Sequence, residues 1–277
     1  MEYALAIQEL FPALSRLYQK PAELIFNCEQ KNNFTISRIY LGGSFCGKLF
    51  NSTTAQQFEY FQHYCQSENI KISLTIPIFT ERQLSLGKQI CHNLLERYSE
   101  LIDEVTINDY AMYEFIDNIF SGRILSGRLL NKVNRDPRYS KYGQEGISIP
   151  KLHLQISGAE LDGCSSKIIL ENPIEDFVAA IYYPYSFIST GMICSYAAIG
   201  KDIMSKFLLD GYCPVSCGKY YTKHDDRDGN SFYHIGNSIY YLSDFPKVIG
   251  ASTVRMIWFP LDMWEDKSEH SCTSEQS

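Results

Sequence analysis

The chain is constrained first by an alternation that runs through its first half. A β-branched, aromatic run at 36–42 (ISRIYLG) ends in glycine, as strands do. It is followed at 53–67 by Phe58, Phe61 and Cys65 at helical spacing, with threonines placed to cap. Strand patterning returns at 71–79 (KISLTIPIF), and 81–101 carries Leu84, Leu86, Ile90, Leu94, Leu95 and Leu101 on one helical face. A short strand at 104–108, a helix at 110–120 and a further strand at 123–130 continue the series. Repeated β-α-β-α order implies right-handed crossovers and a parallel sheet.

Beyond residue 131 the pattern loosens. Apolar stretches stand at 151–156, 167–170, 181–193 and 253–259, a short helix is expected near 174–180, and SFYHIGNSIYY reads as a hairpin turning at Gly236-Asn237. Counting from ALAI near the N-terminus, about eight strands can be drawn. That number suits a single-domain (β/α)8 TIM-like barrel, irregular in its second half, since such barrels take roughly 250 residues. An open doubly wound sheet is the alternative. With no Gly-Ser linker, charge block or repeat, the barrel is placed at 1–262 and a disordered polar tail at 263–277. The 45% apolar content is enough to fill one large core. A net charge of −7 argues against nucleic-acid binding by the chain as a whole. The N-terminal MEYALAIQELF lacks a basic region and a small-residue cleavage site, and no apolar run reaches the ~20 residues of a membrane span, so the expected setting is cytoplasmic.

Nine cysteines in such a setting need a reason. Their odd number and the size of the chain argue against a disulfide framework. Cys28, Cys65, Cys91 and Cys164 read as buried or loop thiols and Cys272 as part of the tail. Cys46, Cys194, Cys213 and Cys217 differ. Cys46 follows a predicted strand, Cys194 ends the run IYYPYSFISTGMIC, and Cys213 and Cys217 share the loop DGYCPVSCGKY. Strand ends of one barrel face converge, so four thiolates there would make a tetrahedral sulfur site suited to zinc or an iron–sulfur cluster. Spacing alone leaves a redox pair or incidental thiols open.

YLGGSFCGK, TGMICSYA, DGYCPVSCGKY and PKVIGASTVRMIWF together resemble the collagenase-like peptidase family numbered U thirty-two, in its short single-barrel, UbiV-like branch. The loop is similar to the family's N-R-G-x-C-x-x-x-C-R pattern, although Gly218 precedes Lys219 here and the interval from Cys194 to Cys213 has no counterpart. The resemblance implies a [4Fe–4S] cluster on Cys46, Cys194, Cys213 and Cys217, with zinc as the alternative. It implies oxygen-independent hydroxylation of a quinone precursor, another small aromatic or RNA, by this chain or by a heterodimer with a homologous family subunit. The other reading is a non-catalytic, cluster-bearing partner of that subunit. Peptidase activity is a distant alternative, because no H-E-x-x-H or G-x-S-x-G is present.

The stretch 123–141 carries Arg123, Arg128, Lys132, Arg135, Arg138 and Lys141 against Asp136. A solvated loop with helix-end charges is the simpler reading; as a site, Arg128, Arg135 and Arg138 are candidate grips for an anionic substrate, because guanidinium matches carboxylate bidentately, with RNA phosphate the less favoured occupant. His224 and His234 flank D-D-R-D, where a surface turn is the simpler reading than a cation site.

Overall fold

A computed structural model describes residues 1–131, 155–163, 167–170, 175–209 and 211–264. In chain order the elements are β1 (Glu2–Ala6), α1 (Phe11–Leu17), α2 (Pro21–Asn32), β2 (Arg38–Gly42), α3 (Gly47–Glu68), β3 (Lys71–Ile76), α4 (Glu81–Arg97), β4 (Ile102–Ile107), α5 (Tyr110–Asp117), β5 (Arg123–Ser126) and β6 (Gly158–Asp162). They continue with β7 (Lys167–Ile169), β8 (Val178–Tyr183), β9 (Tyr185–Thr190), α6 (Ile203–Lys206), β10 (Thr222–Asp225), β11 (Ser231–Ile235), β12 (Ser238–Leu242), β13 (Lys247–Ile249) and β14 (Thr253–Trp258). Strands β1, β2, β3, β4, β5, β6, β8 and β14 pair in parallel around a closed barrel, with β14 returning to β1 in the register Glu2 to Arg255.

Local chemistry sets the element ends. Pro21 opens α2, and Asn33 closes it in the left-handed conformation at φ 54°; Asn69 does the same for α3. Thr80 and Gln83 form a reciprocal capping box on α4. Along the strands, Ile39, Leu41, Ile72, Leu74, Ile76, Val105 and Ile107 are buried in the main core, each worth about 1.5–3 kcal/mol on burial.

The barrel interior is polar, where apolar branched side chains usually fill such barrels. Across one end, Arg255 donates to Glu104 at 2.6 Å and to Glu2 at 2.7 Å, and Arg38 donates to Glu2, Ser73 and Asp103. Tyr40 and Ser73 donate to the same Glu104 oxygen. Burial alone would raise the Glu104 carboxyl, but the Arg255 and Arg38 guanidiniums overcome it and hold the group at about 2. Nearer the other end, Arg128 grips Asp162 with both arms and lies 3.9 Å from the Tyr182 ring centroid. Between these storeys stands Glu160, fully buried, whose carboxyl burial pushes up to about 8 against the opposition of the Thr106 hydroxyl and Arg128.

The second half departs from the sequence reading in three places. The region near 174–180, expected as a helix, feeds into β8, a barrel strand whose residues Ala179, Ala180 and Ile181 are buried on both sides. The apolar stretch at 167–170 is not a barrel strand; β7 pairs with β13 in a two-stranded parallel sheet outside it. Strands β10, β11, β12 and β9 form a separate antiparallel sheet, turning at Gly236-Asn237 as expected. Met263 and Trp264, placed at the start of a polar tail, are instead buried in the core, with Cys28 Sγ 3.3 Å from Met263 Sδ. The remaining tail residues, 265–277, lie outside the described residues.

Candidate metal centre

The first thiol is positioned by the glycine pair that ends β2. Gly42 has φ +105°, and a side chain there would begin 2.1 Å from the Thr75 carbonyl oxygen, so only glycine fits. The Gln57 side chain accepts from Gly42 N–H and donates to its carbonyl, and Glu9 accepts from Ser44 N–H at 2.6 Å. The chain then delivers Cys46 to the N-cap of the 22-residue α3, where its sulfur accepts from Leu49 N–H at 3.4 Å. Helix N-termini favour a thiolate, but burial is the larger influence and pushes the Cys46 thiol up to about 12.

Cys194 does not end a barrel strand. Beyond β8 the chain passes into β9, and Cys194 follows that strand in a turn, with the N–H groups of Ala197 and Tyr196 directed at its sulfur. Burial raises this thiol too, and Lys48 is among the groups opposing the rise. Cys213 lies on the loop that Lys48 and Lys201 pin by donating to the carbonyls of Gly211 and Tyr212. Cys217 sits in a single 3-10 turn, Ser216–Gly218, where burial raises its thiol and the other three cysteines add to the effect. That turn is seated against α1: a side chain on Gly218 would begin 2.4 Å from Pro12 Cβ. Above it, Gly236 has φ +61° and presents no Cβ to the Cys217 sulfur.

One residue ties these pieces together. Asn237 donates to the Phe45 carbonyl beside Cys46 at 3.1 Å and to the Gly191 carbonyl ahead of Cys194 at 2.8 Å. Phe45 itself stacks on Phe187 with centroids 4.1 Å apart.

The outcome is a convergence of four thiols from three separate places, with Cys213 and Cys217 on one loop. Every one of the six pairs among Cys46, Cys194, Cys213 and Cys217 is close enough for each sulfur to feel the other's charge. All four are free, and Cys46, Cys194 and Cys213 line one pocket with Lys48, Met192 and Asn237. Among the described residues no three His, Cys, Asp or Glu side chains are already drawn into a closed coordination set, so the thiols are neighbours rather than pre-formed ligands. A soft cation suits this donor set: thiolates that raise one another's proton affinity are neutralised by a metal that replaces the protons. Beside the pocket, sharing Phe45, Ile78 and Met192 with it, a cavity of about 360 Å³ is lined by Asn108, Asp109, Tyr110, Leu129, Leu130, Thr190 and Gly191.

The basic stretch is not one surface. Arg123 is half exposed beside Asp103 and Glu104, whereas Arg128 is enclosed and already bound to Asp162 among aromatic rings. Lys132, Arg135, Arg138 and Lys141 lie outside the described residues, as do Cys164 and Cys272. His224 and His234 stand on neighbouring strands, and Asp226 is occupied by its own turn, accepting from Asp228 N–H, Asn230 N–H and the Asn230 side chain. Lys48, Asn237 and Glu160 were not singled out by sequence. Asn237 lay in the one clear hairpin signal, while the acids of GAELD hid β6. Comparison with protein families, with curated proteins and with solved structures yields no match to this chain.

Proposed function

We propose that Cys46, Cys194, Cys213 and Cys217 hold a [4Fe–4S] cluster at the barrel mouth. The observation that carries this reading is the mutual proximity of four unpaired thiols supplied by three separate segments. Thiolate quartets are the common ligand set of such clusters, and a bound cluster supplies one-electron chemistry. This chain's own part is to hold the sulfurs: α3 and the Tyr196–Ala198 turn aim backbone N–H groups at Cys46 and Cys194, and the Lys48 ammonium group would offset negative charge on Cys194. The adjoining cavity, walled by Phe45, Ile78, Leu129, Leu130 and Met192, is of a size for a small aromatic molecule. Together with the resemblance to the collagenase-like peptidase family, this supports an oxygen-independent hydroxylase, or one subunit of a heterodimeric one, working in a reducing, cytoplasmic setting. That all seven described cysteines are free agrees with such a setting.

The test is anaerobic purification with iron, sulfide and zinc analysis. The reading expects a brown protein absorbing near 400 nm with about four irons per chain. Replacing Cys213 or Cys217 by serine should remove most of the iron, and replacing Cys65 should not. A colourless protein holding one zinc would keep the four-thiol site and overturn the cluster. Metal content unaffected by all four replacements would overturn the site.

A further inference from the structure

The thiol pocket has a different neighbour on each side. The cavity described above shares Phe45, Ile78 and Met192 with it, and the one charged side chain in its walls is that of Asp109. A second cavity, of about 480 Å³, shares Lys48, Gln83 and Cys213 with it and is basic. Its walls come from three places. Lys48 and Asn51 stand in the first turns of α3, Arg82 and Leu86 in those of α4, and the loop of Tyr212 and Cys213 closes the third side. Lys48 joins two of these walls by donating to the Gly211 carbonyl at 2.8 Å. Among the described residues no carboxylate lines the cavity; Glu81, which precedes Arg82 in α4, is exposed and is not one of its walls.

We propose that this cavity binds a small aromatic phosphomonoester, with its phosphate between Lys48 and Arg82 and its ring against Leu86 and Tyr212. Two cations match a group that carries about −1.5 to −2 at neutral pH better than they match a monocarboxylate. An ammonium has three N–H groups, of which the Gly211 carbonyl takes one, and a guanidinium meets phosphate with paired donors. Helices α3 and α4, 22 and 17 residues long, both begin at this cavity, so their positive dipole ends add to the attraction. Leu86 and Tyr212 are 48% and 81% exposed, and a ring laid against them takes apolar surface out of water. Asn51 offers one further contact. Its Nδ2 donates to the Gln83 carbonyl at 3.4 Å, while its Oδ1 is buried without a partner and would accept from an N–H or O–H of the ligand. The volume lies in the range of small-molecule sites. The inference is independent of what the four thiols bind.

The experiment is titration calorimetry of the full chain with phenyl phosphate, benzoate and inorganic phosphate. Phenyl phosphate should bind at one site, and the other two about tenfold more weakly, because benzoate lacks the second charge and inorganic phosphate the ring. Arg82→Gln should weaken phenyl phosphate binding about tenfold and Leu86→Ser about threefold. Lys88→Gln removes a cation of the same helix that lies over the Phe115 ring and outside the cavity, and should change binding less than about twofold. Arg82 and Leu86 are exposed, and unchanged thermal melting would show that the variants fold. Absence of phenyl phosphate binding overturns the proposal, as does binding that Lys88→Gln weakens as much as Arg82→Gln, which would make it a general attraction to the surface. Inorganic phosphate bound as tightly as phenyl phosphate overturns it too, leaving an adventitious ion only. Benzoate bound as tightly would assign the cavity to a monoanion instead.

Discussion

The two ends of this barrel handle buried charge in opposite ways. At the end where β1 and β14 begin, Glu2, Arg38, Asp103, Glu104 and Arg255 pair cation with anion inside the protein. At the mouth, four thiols crowd together, with Lys48 acting on Cys194, and each deprotonation would make the next harder. One end pairs its charges as folded; at the other, burial and mutual repulsion favour neutral, protonated thiols, and on the function proposed above a metal would replace those protons. The comparison sets charges that are paired inside the barrel against ionisable groups that the fold keeps uncharged.

The largest effect should come from unbalancing the closed end. Arg255→Ala leaves Glu104 buried beside fewer cations, and should cost about 3–5 kcal/mol in urea unfolding. Because Glu104 is held near 2 in the folded state and titrates near 4.5 when unfolded, its stabilisation is present above about 4.5 and fades as pH falls towards 2. The variant should lose that acid sensitivity, and an unchanged acid limb would break the comparison at this end.

Glu160 tests the middle. Its folded carboxyl titrates near 8 and its unfolded one near 4.5, so the folded state keeps a proton the unfolded chain releases. Stability should therefore fall as pH rises from about 4.5 to about 8. Glu160→Gln should match the wild type at pH 5 and exceed it by a few kcal/mol at pH 9, measured by denaturant midpoint. Equal midpoints at both pH values would mean that Glu160 is not held neutral.

Smaller effects should sharpen the mouth. Gly218→Ala drives a methyl into Pro12 and should cost about 2 kcal/mol, with metal retention falling because Cys217 is displaced. Asn237→Ala removes two hydrogen bonds that set Cys46 against Cys194 and should cost about 1 kcal/mol in stability. Its clearer sign is faster loss of metal to a chelator. A stability loss with metal retention unchanged would show that the four sulfurs do not depend on this brace.

The sequence disclosed the first half well because its strands and helices carry different periods: β2, β3 and β5 fall within the expected runs, and β4 begins two residues ahead of its own. It disclosed β6 poorly because the barrel interior is polar: Glu160 and Asp162 interrupt the apolar pattern by which a strand is recognised. The mistaken helix before β8 has a similar origin, since alanines at 179 and 180 favour helices but here face a crowded barrel wall. The four thiols were legible as a set, yet their support was not. Lys48 and Asn237 act through contacts 163 and 192 residues away in sequence, and no local pattern announces such partners.

The closure of the barrel between β1 and β14 also sets a timetable. Ribosomal synthesis makes β1 first, but its partner on one side, residues 253–258, arrives some 250 residues later. Until then β1 and β8 both present open edges, and the wall behind the four cysteines is a bent sheet rather than a ring. Cys46, Cys194, Cys213 and Cys217 have all left the ribosome before that wall can shut. The thiols therefore reach their final spacing only once residues 253–258 have joined β1 to β8.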